Sequence, residues 1–371
     1  MNQRKTRVLF LLEAIDKGGI DKVTLDIVNN LDPEQYDITV QTFWYGGHCQ
    51  SLVKPHVKVL PFFFRRYVRG IIRLIDHLSP KLLYKLFVRG EYDVEIAASD
   101  GGAAKVISGS TNAHSRKICW VHMDVVERGS KLKEFTNADT ARPIYSKFNL
   151  IVPVSQACAQ RFQDKFGSNY PVQVVRNPMP VAEILQKAVA FVPELPKDRF
   201  NFVCVGRLVE QKGFDRLLKA AAQLKSTITK PFHVYIIGEG PARPHLEAMI
   251  AELELSKEIT LMGFCENPYP YVKNSDVFLL SSRDEAYPLA VGESVIIGTP
   301  VIATDCSGIR EWLKDGACGM VLPNSTQGIL NGMVSVLSDP ELLNRYRRRI
   351  PDTQKEISFE KGLRDFESIL R

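Results

Sequence analysis

Residues 202–215 read FVCVGRLVEQKGFD, and this order of residue types predicts one repeat of an α/β fold. The apolar run Phe202–Val205 is short and unbroken, as expected of a strand buried on both faces of a parallel sheet. Gly206 then turns the chain into a basic loop, and a new helix is predicted after that loop. Arg207 and Lys212 flank the loop, and both offer charged N–H donors suited to phosphate oxygens.

The same alternation of buried strand and helix continues on both sides of this repeat. The first series of predicted strands is Arg7–Leu12, Asp37–Phe43, Val57–Leu60, Val94–Ala98, Ile118–Val121 and Leu150–Val154. The second series is Phe200–Val205, His233–Ile237, Ile259–Met262, Val277–Leu280, Pro300–Ala303 and Met320–Leu322. Two such series predict two doubly wound α/β domains. A cluster of prolines separates them, and we place the domains at residues 1–185 and 186–355.

Size and composition agree with this organisation. A chain of 371 residues suits two domains, and 45% hydrophobic with 24% charged residues is typical of a globular protein. The net charge of +6 favours anionic ligands or an anionic membrane face, and it is too small to argue for nucleic acid.

Targeting and metal signals are weak. The seven cysteines form no CxxC pair, which predicts neither a zinc site nor a disulfide framework and fits a reducing cytoplasm. The apolar stretch Val8–Leu12 is too short for a signal peptide, and no run is long enough to span a membrane.

A second motif lies at residues 281–293, SSRDEAYPLAVGE. Pro288 fits the first turn of a helix, where a missing N–H group is harmless. Glu285 would then lie on the loop before the helix, and Glu293 about 6 Å inside it. Two carboxylates that bracket a helix N-terminus can bind hydroxyls on either side of an anion held there. A nucleotide-sugar, with its sugar, diphosphate and ribose, has that layout.

These motifs resemble the donor-binding half of the retaining glycosyltransferases of family 4 (glycosyl transferases group 1), which have the GT-B fold. The resemblance is strong from Phe200 to Pro323 and weaker before it. Its motifs are Gly206-Arg207, Lys212-Gly213, Glu285 with Glu293, and residues 298–305, GTPVIATD. The family usually has glycine after the first glutamate, where this chain has Ala286.

The resemblance implies two Rossmann-like domains that face each other across a cleft, the first binding the acceptor and the second the donor. It also implies that residues 356–371 form a helix that crosses back to the first domain. The implied catalytic residues are His122, Arg207, Lys212 and Glu285. The implied donor-binding residues are Gly18, Gly19, Gly206, Gly238, Gly263, Phe264, Tyr287, Pro288, Leu289, Ala290 and Glu293. For Arg207 and Lys212 the alternative is a surface ion-pair network with Glu210 and Asp215.

Residues of the first half carry weaker signals. Gly18-Gly19 follows the first strand, where small residues let N–H groups approach an anion or acceptor sugar, and the alternative is a tight turn. The spacing G-x-G-x-x-G is absent, which argues against a nicotinamide enzyme. His122 lies at the end of a predicted strand, the rim where open α/β sheets bind ligands, and the alternative is a structural histidine.

Three further polar residues have open readings. Asp124 is either an acceptor contact or a solvated acid. In the family, polar residues at the positions of Ser155 and Asn177 face the cleft between the domains. Their alternatives are a helix N-cap for Ser155 and a turn residue for Asn177.

Residues 62–89 are basic, aromatic and amphipathic, with Arg65, Arg69 and Arg73 on one helix face. This pattern predicts a helix on an anionic membrane, and the alternative is a packed helix pair with a solvated basic face.

We expect a hexosyltransferase without metal or cofactor, since no Asp-x-Asp motif follows a strand. The expected donor is a UDP-linked hexose or N-acetylhexosamine, and the expected acceptor is a saccharide or glycolipid of the cell surface. The expected location is the cytoplasm, with peripheral contact to the inner face of the cell membrane as a further option. The alternatives are a GT-B sugar-nucleotide epimerase, a hydrolase, or a non-catalytic partner subunit of an active transferase.

Overall fold

The computed structural model describes residues 4–13, 15, 18–44, 50–64, 76–122, 132–135 and 137–371. The chain forms two compact units, one of Met1–Pro178 with Phe359–Arg371 and one of Met179–Ser358. The sequence-based domain limits were placed at residues 185 and 355. Residues 359–371 cluster with the first unit.

Each unit is built on a six-stranded sheet, with the order β3-β2-β1-β4-β5-β6 in the first and β12-β11-β10-β7-β8-β9 in the second. The first sheet contains β1 (Thr6–Leu12), β2 (Tyr36–Trp44), β3 (Lys58–Phe64), β4 (Val94–Ala97), β5 (Arg116–Val121) and β6 (Leu150–Pro153). The second contains β7 (Phe200–Val205), β8 (Phe232–Ile237), β9 (Ile259–Gly263), β10 (Val277–Leu280), β11 (Val301–Thr304) and β12 (Gly319–Leu322). All pairings between these strands are parallel. The predicted fold of two doubly wound α/β domains is confirmed.

Helices connect the strands of both sheets. In the described part of the first unit they are α1 (Gly19–Val28), α2 (Pro80–Phe87), α3 (Gly102–Ser108), α4 (Ala138–Tyr145), α5 (Gln156–Phe166) and, from the end of the chain, α14 (Phe359–Ser368). In the second unit they are α6 (Val181–Ala188), α7 (Phe214–Thr227), α8 (Arg243–Glu252), α9 (Tyr269–Asn274), α10 (Leu289–Ile297), α11 (Ile309–Leu313), α12 (Thr326–Ser338) and α13 (Pro340–Gln354). No helix in the described residues is both long enough and apolar enough to cross a membrane.

The strand β7 shows why an unbroken apolar run gives a central strand. Successive side chains of a strand point to opposite faces of the sheet. Phe202 and Cys204 therefore join the core beneath α7 and α12, whereas Val203 joins the core on the other face, beneath α10 and α11. Because helices cover both faces, every second residue cannot be polar, and the strand reads as continuously hydrophobic.

In each sheet the order of the strands reverses once, and two loops begin at that point of reversal. The chain runs outward from β7 through β8 to β9, then returns to place β10 on the other side of β7. The loops that follow β7 and β10 therefore begin side by side at the carboxyl edge, which is where open α/β sheets bind ligands. The same reversal occurs between β1 and β4 in the first unit.

The helix α14 completes the core of the first unit. Phe366 is fully buried and stacks on Phe10 of β1 with ring centroids 6.0 Å apart. Its ring also lies 4.9 Å from that of Trp120 on β5. The side chain of Gln173 donates a hydrogen bond to Ser368 at 3.3 Å.

Candidate functional site

The loops after β7 and β10 are joined by hydrogen bonds along their length. The backbone N–H of Arg283 donates to the carbonyl of Gln211 at 2.7 Å. The side-chain amide of Gln211 donates to the carbonyl of Asp284 at 2.7 Å, and the hydroxyl of Ser281 donates to the carbonyl of Lys212 at 2.8 Å. The two loops thus form one connected surface at the reversal point of the second sheet.

Glycine at position 213 permits this close contact. Gly213 has a φ of +64°, and a Cβ atom placed on it would lie 2.2 Å from the carbonyl oxygen of Ser281. A side chain there would suffer both left-handed backbone strain and a clash with backbone. The Lys-Gly pair noted in the sequence therefore combines a cation with a loop contact that only glycine allows.

Lys212 and Glu285 meet at the end of the joined loops. The Nζ of Lys212 lies 2.6 Å from Oε1 of Glu285, and the hydroxyl of Ser282 donates to the same oxygen at 2.7 Å. The side chains are only 22% and 10% exposed. A cation and a carboxylate predicted from separate motifs are thus brought to one point at the carboxyl edge of the sheet.

Arg207 lies on the same edge with its side chain exposed. Within the described residues its guanidinium makes neither a hydrogen bond nor an ion pair. Asp215 pairs with Arg283, at 2.7 Å, and Lys212 pairs with Glu285. Within the described residues no ion pair joins Arg207 or Lys212 to Glu210 or Asp215, so the alternative of a surface network with these two acids is not observed.

The helix α10 points its N-terminus into this region. It begins at Leu289, so Pro288 is the residue before the helix and not part of its first turn as predicted. The reason is the ψ of 103° at Pro288, which is extended and not helical. The N–H groups of Leu289 and Ala290 have no intrahelical acceptor, as in any first turn, and are available to an anion.

Alanine after the first glutamate fits the local backbone. Positive φ values among the described non-glycine residues occur at Glu254, Lys314 and Asp315, not at Ala286. Ala286 therefore carries no left-handed strain.

Glu293 and Tyr287, two further candidates in residues 281–293, each contact an aromatic side chain. Glu293 accepts a hydrogen bond from the hydroxyl of Tyr269 at 2.9 Å. The ring of Tyr287 stacks on that of Trp312, with centroids 4.7 Å apart and planes 29° apart. These contacts hold the motif on both sides of the start of α10.

Glycines line the edge of the sheet next to the loop of residues 206–213, which carries Arg207 and Lys212 and is called the cationic loop below. Gly206, Gly238 and Gly263 follow or end three adjacent strands, and the N–H of Gly238 donates to the carbonyl of Gly263 at 2.8 Å. A Cβ atom on Gly238, whose φ is +150°, would lie 2.0 Å from the carbonyl oxygen of Gly206. Phe264 follows with its side chain 50% exposed. This edge offers backbone groups and one aromatic face to a flat ligand.

In the first unit, His122 lies directly after β5, as predicted. It is buried, and its ring lies 4.3 Å from that of Trp120. Its backbone N–H donates to Asp100 at 3.3 Å, while Nε2 has no hydrogen-bond partner among the described residues. Burial lowers the pKa of His122 from 6.5 to about 3, so its imidazole is neutral at physiological pH.

This shifted pKa predicts a pH-dependent stability. Below about pH 6 the unfolded chain protonates His122 and the folded chain does not, so stability falls as the pH falls, by about 1.4 kcal/mol per pH unit. We expect the urea midpoint of the wild type to fall more between pH 7 and pH 5 than that of His122→Gln. Parallel pH dependence of the two proteins would show that the folded imidazole titrates normally.

The structure also shows the surroundings of four other residues of the first unit that the sequence analysis named. Gly18 precedes α1, and its N–H donates to Asp21 at 3.2 Å; Gly19 is exposed and begins the helix. Ser155 caps α5 by accepting from the N–H of Cys158 at 3.0 Å, so the N-cap reading is confirmed. Asn177 is buried, with no partner for its side-chain oxygen in the part of the chain described. Asp124, Arg65, Arg69 and Arg73 lie outside the described residues.

Four residues that organise the site were not selected from the sequence: Asp215, Ser282, Arg283 and Trp312. Ser282 and Arg283 lie within the quoted motif, and their polarity directly after a buried strand was the available signal. The pairing of Asp215 with Arg283 joins positions 68 residues apart, which no local pattern reveals.

Comparison with known proteins finds similarity mainly in the second unit. Residues 186–353 match the family model "Glycosyl transferases group 1". A Campylobacter jejuni relative, an N-acetylgalactosamine-N,N'-diacetylbacillosaminyl-diphospho-undecaprenol 4-alpha-N-acetylgalactosaminyltransferase, is 29% identical over 60% of this chain and 60% of its own length. An uncharacterized glycosyltransferase of Haemophilus influenzae is 22% identical over 97% of this chain and 98% of its own.

Solved structures extend the likeness to the whole fold. The structure of Anabaena HepE in complex with UDP and glucose has a TM-score of 0.80 at 19% identity and covers 98% of this chain and 99% of that one. A sucrose-phosphate synthase from Thermosynechococcus elongatus has a TM-score of 0.76 at 14% identity, covering 98% of each chain. These structures confirm the predicted GT-B fold. The family match and the named relatives support the predicted enzyme class, a glycosyltransferase.

Proposed function

We propose that this chain, whose residues 186–353 match the group 1 glycosyltransferase model, transfers a hexose or N-acetylhexosamine from a UDP-linked donor with retention of anomeric configuration. The observation that carries the proposal is the meeting of Lys212 and Glu285, 2.6 Å apart, at the sheet edge. Arg207 and the N-terminus of α10 belong to the same edge. Cationic and N–H donors for a diphosphate thus adjoin a carboxylate for sugar hydroxyls.

The leaving diphosphate would be stabilised by Arg207, Lys212 and the N–H groups of Leu289 and Ala290. Such donors are most effective when they are already in place before charge develops on the leaving group. A helix N-terminus and two cations can together supply the positive charge that other transferases take from a metal ion. We therefore propose that transfer proceeds without a divalent cation.

Each remaining donor group has a candidate partner. Glu285 would accept hydrogen bonds from the sugar hydroxyls and Glu293 from the ribose hydroxyls. The glycine-lined edge that ends at Gly263 and Phe264 would receive the base. His122 of the first unit stays a proposed catalytic residue, and burial keeps its imidazole neutral.

We propose that the sugar passes directly from the donor to the acceptor, without a covalent intermediate on the enzyme. An acceptor hydroxyl attacks the anomeric carbon from the face that the diphosphate leaves, forming the new glycosidic bond as the bond to the phosphate oxygen breaks. The leaving phosphate takes the hydroxyl proton. The products are the glycosylated acceptor, with the donor's anomeric configuration, and UDP.

Relatives support an acceptor of cell-surface chemistry. The Campylobacter relative is named for a saccharide linked through diphosphate to undecaprenol, and a Rhizobium meliloti relative, 25% identical over 60% of this chain, is a lipopolysaccharide core biosynthesis glycosyltransferase. By analogy we propose a saccharide or glycolipid acceptor, used in the cytoplasm at the inner face of the cell membrane.

The donor is tested by thermal unfolding in the presence of UDP-glucose, UDP-galactose, their N-acetylhexosamine counterparts and GDP-mannose. A ligand that binds only the folded protein raises the unfolding midpoint. We expect a rise with at least one UDP-sugar, and no rise with any UDP-sugar, whether or not GDP-mannose gives one, would contradict the proposed donor class.

Three alternatives are distinguished by their products. An epimerase or hydrolase would convert the bound donor without an acceptor, so product analysis without acceptor distinguishes it from a transferase. A non-catalytic partner subunit would not turn over the donor under either condition. The presence of Arg207, Lys212, Glu285 and Glu293 together favours an active transferase.

A membrane contact is also proposed, and its described part is α2. This helix exposes Leu82 and Leu86, at 44% and 45%, next to the exposed lysines Lys81 and Lys85, and it carries no acidic side chain. Apolar side chains flanked by lysines suit a surface of anionic lipid headgroups.

Charge reversal tests this contact. We expect Lys81→Glu with Lys85→Glu to weaken sedimentation with phosphatidylglycerol vesicles, since each basic residue near such a surface contributes about 1 kcal/mol. The matched control is Lys219→Glu with Lys257→Glu, which makes the same charge change on exposed positions of the second unit. Equal sedimentation of both double variants, or none by the wild type, would rule out the contact.

A further inference from the structure

Arg283 anchors the site loops through its side chain. Its two terminal nitrogens donate to the two carboxylate oxygens of Asp215, each at 2.7 Å. Hydrogen bonding from Arg283 is the main cause of the lowered pKa of Asp215. Asp215 lies in the first turn of α7, directly after the cationic loop. The pair is partly buried, with side chains 33% and 23% exposed.

The same arginine also holds the other side of that loop. Its Nη1 donates to the carbonyl of Glu210 at 2.7 Å, and its backbone N–H donates to the carbonyl of Gln211. Lys212 therefore lies between two points of attachment, Glu210 before it and Asp215 after it. Arg283 is also two positions before Glu285, so one residue restrains both partners of the Lys212–Glu285 pair.

Arginine is required for this geometry. Its planar guanidinium presents several N–H groups in fixed directions, and here three of them satisfy a carboxylate and a carbonyl at once. A lysine would keep the charge and lose the fork.

We propose that Arg283 is a positioning residue, which acts through Asp215 and the Glu210 carbonyl to hold Lys212 against Glu285. Its effect on sugar transfer rests on the proposed function; its effect on Lys212 does not. Arg283 itself has no predicted contact with the donor.

The first experiment follows Lys212 directly. Trace acetylation of amino groups, quantified by mass spectrometry, compares the wild type with Arg283→Lys. We expect the reactivity of Lys212 to rise because its Nζ is released from Glu285. The reactivity of Lys225, which pairs with Glu258 elsewhere in the second unit, should not change. Unchanged reactivity of Lys212 would overturn the positioning role.

Two further variants distinguish a specific effect on Lys212 from a general loss of structure. Arg345→Lys alters a comparable pair, Arg345 with Asp339, and should leave Lys212 unaffected. Asp215→Asn removes the other partner of the Arg283 pair while preserving side-chain shape. If Arg283→Lys does not fold, Asp215→Asn carries the test, and it should expose Lys212 in the same way.

The second experiment measures transfer in a double-mutant cycle. We expect Arg283→Lys to lower turnover about tenfold in the wild type, and to have almost no further effect in Lys212→Ala, since residues that act as one unit are not additive. Independent, multiplying losses would show a merely structural role. A wild type without transferase activity would overturn the proposed function alone, because the acetylation result still decides the role of Arg283.

Discussion

Lys212→Ala is expected to lower kcat/KM for sugar transfer by a factor of roughly 10² to 10³, because loss of one preorganised donor to a developing charge costs about 3–4 kcal/mol. Lys212 is the cation that the loop after β7 brings to within 2.6 Å of Glu285. The fold should be retained, since Glu285 keeps the hydrogen bond from Ser282. The measurement is initial-rate kinetics of UDP release in the presence of acceptor.

The control for this variant is Lys225→Ala. Lys225 belongs to the same unit and also pairs with a glutamate, Glu258, at 3.2 Å. Its replacement should leave transfer unchanged, so a loss in Lys212→Ala alone assigns the effect to position. Affinity for UDP should also fall in Lys212→Ala, and wild-type turnover in this variant would remove the diphosphate role from Lys212.

Glu285→Gln is expected to reduce turnover by about two orders of magnitude through a different interaction. The substitution preserves the shape of the side chain and its acceptance of the Ser282 hydroxyl, and it removes the charge that would bind the sugar hydroxyls. Hydrogen bonds to charged groups are roughly twice as strong as neutral ones, and their loss is felt where the sugar changes shape in the transition state.

Ligand affinities separate the two variants. UDP lacks the sugar, so Glu285→Gln should bind UDP at least as well as the wild type while turning over the full donor slowly. Glu258→Gln, the matched change at the control pair, should behave as wild type. Weakened UDP binding in Glu285→Gln, with turnover lowered only in proportion, would place this carboxylate near the nucleotide and not near the sugar.

The sequence was sufficient for the elements of the fold and for the main candidates of the site. Strands buried on both faces must be apolar throughout, so runs such as Phe202–Val205 were recognisable without any alignment. Glycines and prolines marked the turns between strands and helices. Lys212 and Glu285 were selected because one flanks a basic loop after a glycine turn and the other precedes a predicted helix N-terminus, and because both match motifs of the resembled family.

The contacts that organise the site could not be predicted in the same way. The bond between Lys212 and Glu285 joins positions 73 residues apart, and the fork of Arg283 reaches Asp215 across 68. Such pairs depend on the exact course of two loops, and loop geometry leaves no periodic trace in sequence. The start of α10 was misjudged by one position, because proline is compatible both with a first turn and with the extended residue before it.

The packing of Phe366 against Phe10 and Trp120 affects folding during synthesis. A nascent chain leaving the ribosome exposes the aromatic surface of its first sheet long before residues 359–371 exist. The first unit therefore lacks α14 until the whole second unit has been synthesised. An expression fragment that stops near Pro178 would lack this closing helix and present that surface to solvent.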